Sequence, residues 1–407
     1  MRKLSSGAQV VVVGNGMVSA RLCRALVQRR LHRRLNISII GAEALPAYDR
    51  VRLSAFVDDR SAEKLTLQPE SWYRENGISL SLGTRVERID RDLRTVRLSD
   101  GRAVNYEVLI LATGSRPFVP PIEGTDLPNV FVYRTIADLE AIVEAAEGKE
   151  KATVVGGGLL GLEAAEAVQK LGLEASVVER ARFLMPQQLN AAAAGVLEKA
   201  VRRQGIRLYL GIDQTVIRQE KGRLGISLNQ GESDFSSDLV ILSAGIEPVS
   251  NLAEPAGLPE GVRGGFVVND QLQTDDENIF AIGECALHNG RSYGLVAPGY
   301  AMAEHVADIL DGKKTAAFPD PDLSTRLKML GIDVASVGDP LGEGRRIVYE
   351  TDDGNRFRQL VLSGGNEIRG AMSVGAWPEI GEVHSLYLEN GILRDKEIAN
   401  FEKCGEL

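Results

Sequence analysis

Two glycine-rich loops, each set between an apolar run and a helical pattern, constrain this chain more than any other feature. The clearer one lies in residues 152–179. Residues 153–155, Thr-Val-Val, read as a buried strand. They run directly into Gly156-Gly157-Gly158-Leu159-Leu160-Gly161, a G-x-G-x-x-G loop. A helical pattern follows, then a second apolar run that ends at Glu179. Gly156 allows the tight turn from strand to helix. Gly158 lets a pyrophosphate approach the backbone, and Gly161 lets helix and strand pack closely. The helix N-terminus offers N–H groups and partial positive charge to the phosphates. Glu179 stands near the spacing of about 20 residues at which an acid accepts hydrogen bonds from an adenosine ribose. Strand, loop, helix, second strand and acid occur together, which makes a chance glycine turn the minor reading.

A second loop opens the chain. Residues 9–13, Gln followed by four Val, read as an apolar strand and lead into Gly14-Asn15-Gly16-Met17-Val18-Ser19-Ala20. Ser19 stands where the third glycine is usual, and serine is small enough to preserve close packing. Two such loops imply two dinucleotides. A strand over 36–40 then leads to Gly41-Ala42-Glu43, and Glu43 is the candidate ribose acid, slightly beyond the strand end. Arg50, in Tyr48-Asp49-Arg50, is placed to neutralise a pyrophosphate or belongs to a charged surface loop. The helix expected over 20–34 carries Arg21, Arg24, Arg29, Arg30, Arg33 and Arg34. The simpler reading is a solvated face. The sharper reading is a docking patch for an acidic electron carrier, formed by Arg29, Arg30, Arg33 and Arg34.

Composition removes several classes. With 407 residues the chain can hold two or three domains with sizeable cores. No run of about 18 apolar residues is present, so no membrane span is expected. The first residues enter a strand and a glycine loop and do not read as a signal peptide. The three cysteines, Cys23, Cys285 and Cys404, are far apart and form no C-x-x-C pair. That argues against a disulfide framework or a clustered metal site, and for a cytoplasmic location. A net charge of −9 argues against nucleic acid as a partner.

Further along, residues 108–111 read as a buried strand ending in Ala112-Thr113-Gly114-Ser115-Arg116-Pro117, and 117–121 as a crossover. Helices are expected over 135–147 and 190–204, and residues 238–248 should return the chain to the first domain. The strand before Gly283-Glu284 puts Glu284 at a carboxyl end, where open α/β sheets bind ligands. A helix begins near Val296 and runs to 310. From about 320 the character changes, with strands expected over 346–350, 357–362 and 368–374. The expected organisation is a discontinuous domain, 1–120 with 248–320, a second domain over 121–247, and a small C-terminal domain over 321–407.

The ordered set GNGMVSA, YDRVRLS, ATGSRP, VVGGGLLGLEAAEA, AGIEP, NIFAIGECA and YGLVAPGYAMA resembles the two-dinucleotide flavoprotein reductase family. Within it, the chain is similar to the flavin and NADH part of assimilatory NAD(P)H-nitrite reductase large subunits. FVYRTIADLEAI, LSTRLKMLGIDVASVGD and RGGFVVND add to that similarity. The likeness covers most of residues 8–340. It implies an α/β fold with two Rossmann-like domains, one for FAD and one for NAD(P), and a small α+β C-terminal domain. It also implies that Gly14, Gly16, Glu43, Arg50, Thr113, Gly114, Arg116, Glu284 and Val296 contact FAD. Glu284 stands where the family often has Asp on the ribityl chain. By the same likeness Gly156, Gly158, Gly161 and Glu179 contact NADH, and Glu163 lies near the nicotinamide. No metal is implied.

Departures from the family narrow the reading. Full-length nitrite reductases of this type carry further domains with cysteines for iron–sulfur and sirohaem centres. Three cysteines are too few for a four-cysteine cluster, so nitrite reduction is not expected in this chain alone. Disulfide reductases need a cysteine pair after the first helix, and none is present. Peroxidase-type relatives need a Cys near the Leu53-Ser54 segment, where Ala55 stands. Rubredoxin and ferredoxin reductases often place Lys there, which weakens them as the alternative. The expected function is an FAD-dependent NADH oxidoreductase. Its electrons would pass to a separate acceptor: a sirohaem/iron–sulfur or molybdenum reductase component, or else rubredoxin or ferredoxin. A redox-controlled FAD/NADH-binding interaction protein is the non-enzyme alternative, and a homo-oligomer is left open.

Overall fold

Runs such as Val10 to Val13 and Val108 to Leu111 are apolar at every position, which suits strands covered on both faces. In the computed structural model, which describes residues 4–229 and 233–407, both are central strands of a parallel sheet. Val10, Val11, Val12, Leu109 and Ile110 are fully buried, and each contributes about 1.5–3 kcal/mol through burial. Arg2 and Lys3 lie outside the described residues. No described helix is long and apolar enough to cross a membrane.

The chain divides into two units. One holds the chain up to Phe56, Ser61–Arg116 and Ile246–Asp322; the other holds Val57–Arg60, Pro117–Gly245 and Leu323–Leu407. The first contains five parallel strands in the order Ile279–Ala281, Val108–Leu111, Ala8–Val13, Leu35–Ile40, Ser79–Ser81. From Ala8–Val13 the chain first builds to one side of the sheet and later to the other. Strand order therefore reverses beside Val13, and ligands of open α/β sheets bind at the carboxyl edge of such a reversal.

Helix Met17–Gln28 follows the first strand and packs along helix Val296–Leu310. It is shorter than the sequence predicts. Arg30 adopts a left-handed conformation (φ 58°), and a short turn, Leu31–Arg33, hands the chain to the next strand. The turn is pinned by buried Leu31. The arginines do not form one face either. Arg29 pairs with Glu304 and Asp308, each at 2.8 Å, Arg21 with Glu304 at 2.8 Å, and Arg34 with Asp311 at 3.7 Å. Only Arg24, Arg30 and Arg33 of the six are exposed. The docking patch is corrected accordingly: Arg29 and Arg34 hold two helices of one unit together.

The second unit repeats the design. Its parallel strands run in the order Arg207–Leu210, Glu174–Glu179, Lys151–Val155, Leu239–Leu242, Val130–Val132. An antiparallel three-stranded sheet, Thr215–Glu220, Arg223–Leu228 and Phe235–Ser237, joins it. The C-terminal part forms a five-stranded antiparallel sheet in the order Thr325–Met329, Ile332–Gly338, Ile368–Val374, Phe357–Leu362, Arg345–Glu350. Helices Ile380–Leu388 and Asp395–Cys404 complete its core through Val383, Ile398 and Phe401. Sequence reasoning anticipated three of these five strands and neither helix. Helix Ala191–Arg203 lies against this sheet, and its N-cap residue Asn190 donates to buried Gln359 at 2.9 Å.

Asp238 ties the three-stranded sheet to the second parallel sheet. Its carboxylate accepts from the N–H groups of Glu150 and Lys151, each at 3.0 Å, and from Arg223 at 2.8 Å. Burial opposes its ionisation, but these donors outweigh burial and hold its carboxyl below the ordinary range. A folded-state pKa below the unfolded value contributes stability above about pH 4, which is lost as pH falls through the folded value. Asp238→Asn should therefore cost about 2 kcal/mol at pH 7. The difference from wild type should shrink in denaturant titrations as pH falls below about 4; a pH-independent difference would contradict this account.

Candidate dinucleotide sites

Each loop sits where its sheet reverses, and each is shaped by a backbone approach that no side chain survives. Gly14 has φ 110°, and a Cβ there would lie 2.1 Å from the carbonyl oxygen of Ala112. Gly156 has φ 122°, and a Cβ there would lie 2.2 Å from the carbonyl oxygen of Ser243. Both positions favour glycine twice over, by conformation and by space. Gly161 is the third constraint: its Cβ would lie 2.0 Å from the carbonyl oxygen of Gly156. In the first loop the corresponding residue, Ser19, is accommodated and buried.

Gly16 and Gly158 are the N-cap residues of helices Met17–Gln28 and Leu159–Lys170, and neither end has a side-chain cap. A Cβ at either glycine would meet nothing within 4 Å. Helix Val296–Leu310 also starts uncapped, at half-buried Val296. By contrast, Ile136–Ala146 and Ala191–Arg203 are capped by Thr135 and Asn190. Open space and N–H groups without a side-chain cap thus coincide at two helix starts, which suits anionic ligands there. Gly283 and Gly299 draw helices Met17–Gln28 and Val296–Leu310 together: their Cβ atoms would lie 3.1 and 2.6 Å from a methyl group of Val18.

The two acids are held differently. Glu179 ends its strand, and its half-buried carboxylate accepts from the Gly157 N–H and from the Ala181 N–H, the latter at 2.6 Å. Arg180 beside it is exposed. Glu43 lies in the loop beyond Leu35–Ile40. It accepts from the Tyr48 hydroxyl at 2.7 Å and forms an ion pair with Arg50, whose guanidinium lies 4.5 Å from the Tyr48 ring centre. Arg50 is therefore joined to Glu43, a partnership that sequence reasoning did not anticipate.

The remaining residues expected in the first unit are held by different partners. The Thr113 hydroxyl donates to the carbonyl of Val249 at 2.5 Å, and Gly114, with φ 69°, accepts from the Val249 N–H through its carbonyl at 2.9 Å. Ser115 donates to Glu284 at 2.7 Å. Arg116 points outward instead and pairs with Glu247 at 3.1 Å. Glu163 is half-buried on helix Leu159–Lys170. Sequence reasoning missed Tyr48 and Ser115, because neither side chain belongs to a spacing motif.

All three thiols are free. Burial pushes Cys23 up to about 12 and raises Cys285 as well. Among the described residues no group of three or more His, Cys, Asp or Glu could hold a metal ion.

Gly161→Ala should force helix Leu159–Lys170 away from its strand, at a cost of about 1–3 kcal/mol. The expected result is a lower Tm and weaker NADH binding by titration, with FAD content unchanged. Unchanged NADH affinity would show that the close packing is not needed.

A family model described as pyridine nucleotide-disulphide oxidoreductase matches residues 8–305. The chain is 40% identical over 389 residues to the NADH nitrite reductase large subunit of Escherichia coli, covering 94% of this chain and 46% of that one. It is 38% identical over 331 residues to the assimilatory nitrate reductase electron transfer subunit of Bacillus subtilis, covering 81% of this chain and 42% of that one. It thus spans less than half the length of these two relatives. A ferredoxin reductase structure from Rhodopseudomonas palustris superimposes with a TM-score of 0.84 at 27% identity, covering 97% of both chains. Two parallel sheets with paired glycine loops, and a family match across both, lead to one assignment: the chain belongs to the pyridine nucleotide-disulphide oxidoreductase family, whose members bind FAD and NADH.

Proposed function

We propose that this chain oxidises NADH and passes the electrons through FAD to a separate protein acceptor. The observation that carries this reading is the presence of two uncapped glycine loops, each at a sheet reversal and each served by its own acid. In the proposed arrangement the N-termini at Gly16 and Val296 face the flavin dinucleotide, with Glu43 at its ribose and Arg50 near its phosphates. Thr113, Gly114, Arg116 and Glu284 belong to the same site. Gly156, Gly158, Gly161 and Glu179 hold NADH, and Glu163 lies near the nicotinamide. The proposed division, 1–120 with 248–320, 121–247 and 321–407, gives each dinucleotide its own domain. Bound FAD supplies the conversion of a two-electron hydride donor into a source of single electrons.

The protein's own work is binding and orientation. Glycine backbone N–H groups take phosphate charge, and the acids fix the ribose. No thiol relay enters, since the thiols are free and the two buried ones are held protonated.

For the acceptor we favour a nitrite or nitrate reductase component carrying sirohaem with iron–sulfur, or molybdenum. The similarity to the nitrite reductase large subunit and the nitrate reductase electron transfer subunit supports this. A rubredoxin or ferredoxin acceptor is the second reading, supported by a ferredoxin reductase that matches this chain over 97% of both lengths. Reduction of each purified acceptor by NADH and catalytic amounts of this protein separates the two. Transfer only to the small iron–sulfur carriers would overturn the first.

The purified protein should release FAD, and kcat/KM should favour NADH over NADPH by about tenfold or more, because Glu179 repels a 2′-phosphate. Glu179→Ser should narrow that ratio, with exposed Arg180 free to meet the phosphate; an unchanged ratio would remove Glu179 from the selection. A triple Cys→Ser variant at Cys23, Cys285 and Cys404 that retains FAD should keep its rate of flavin reduction by NADH in stopped flow. Loss of that rate with FAD bound would establish a thiol step.

A further inference from the structure

The two loops differ at one pair of positions, and the difference is reciprocal. In the ladders Val13 lies opposite Ile40, and Val155 opposite Val178. The next residue of each second strand is therefore Gly41 in one unit and Glu179 in the other. The middle loop residues facing them are Asn15 and Gly157. A Cβ on Gly41 would lie 2.7 Å from the Cβ of Asn15, and a Cβ on Gly157 would lie 2.8 Å from Leu184 Cδ2 and 3.0 Å from the Cβ of Glu179. At Gly41 a second Cβ is excluded, and at Gly157 it would crowd Glu179 and Leu184. The clash at Gly41 is not relieved by rotating a bond, because a Cβ moves only with its backbone. The Gly41 backbone is held on both sides: its N–H donates to Ser81 at 2.8 Å and its carbonyl accepts from the Thr84 N–H at 2.9 Å.

In the second unit the space belongs to a carboxylate, which accepts from the Gly157 N–H. In the first unit it belongs to a neutral carboxamide. The Oδ1 atom of Asn15 is buried and lacks a hydrogen-bond partner among the described residues. A buried acceptor left open at a dinucleotide loop calls for a donor from the ligand.

We infer that Asn15 and Gly41 form a specificity-determining pair in the first loop. Asn15 Oδ1 accepts a hydrogen bond from a hydroxyl or amine donor of the flavin dinucleotide's adenosine half. Its Cβ bars an acid from the strand end, which accounts for the candidate ribose acid standing two residues later, at Glu43. This rests on the reading that the first loop holds FAD.

The test uses Asn15→Gly, Gly41→Glu and the double variant of the full chain. FAD is removed and its Kd measured by fluorescence quenching, beside the Kd of NADH and the Tm. Asn15→Gly should weaken FAD about tenfold, the loss of one ligand hydrogen bond, and leave NADH unchanged. Gly41→Glu alone should lower Tm and lose FAD. Adding Asn15→Gly to it should recover Tm and restore FAD binding to better than that of either single variant, since the strand end then resembles Gly157 with Glu179. The inference is overturned if Asn15→Gly binds FAD as wild type does, or if Gly41→Glu is tolerated beside Asn15. It is also overturned if the two changes are additive. Should Gly41→Glu not fold, Asn15→Gly and the double variant still decide the matter. Wild-type protein that binds no FAD would instead defeat the functional reading beneath it.

Discussion

The sites depend on backbone approaching backbone. At Gly14 and Gly156 the chain passes so close to a neighbouring strand's carbonyl that one carbon atom would collide. That approach aims the following helix so that its first N–H groups look out over the sheet edge. These groups find no side-chain cap, whereas Thr135 and Asn190 cap two other helices. The unsatisfied donors are a local cost, and an anionic ligand offsets it. Binding strength in such a design comes from what the fold leaves unpaired.

What could be read from the sequence follows from that physics. Steric rules on glycine are written in single letters, so both loops, their strands and Glu179 are recognisable by spacing alone. Glu43, Tyr48 and Arg50 are different. Their association is a matter of side-chain geometry within a short irregular segment, and an arginine there reads equally well as surface or ligand. Ser115 meets Glu284 across 169 residues of chain, a distance over which no periodicity carries information. The arginine-rich helix shows the same limit. Its composition suggested one exposed face, but Arg21, Arg29 and Arg34 are matched by acids on a helix about 280 residues further on. In the C-terminal sheet, Thr325–Met329 is an edge strand in which Arg326 and Lys328 alternate with Leu327 and Met329, a strand pattern too short to stand out by itself.

The same motif is used twice with opposite choices at one position. In one unit the loop keeps its side chain and the strand end gives way; in the other the strand end keeps its acid and the loop gives way. A motif defined by three glycines therefore leaves a fourth constraint unstated, and it can be met from either side. Two loops of similar shape in one protein thus present different groups at their sheet edges.

The discontinuity of the first unit has a consequence for synthesis. Strand Ile279–Ala281 completes the sheet beside Val108–Leu111, and helix Val296–Leu310 with its C-cap residue Asp311 supplies the acids for Arg21, Arg29 and Arg34. Until those segments leave the ribosome, the strand at 108–111 presents an unpaired apolar edge. At about 5–20 residues per second that interval lasts on the order of ten seconds. The intervening segment carries its own complete parallel sheet, so it can fold while the first waits. The parallel sheet encoded in the middle can thus form before the one encoded at the start is complete, and the unpaired edge at 108–111 stays open for that interval to a neighbouring polysome product or a chaperone.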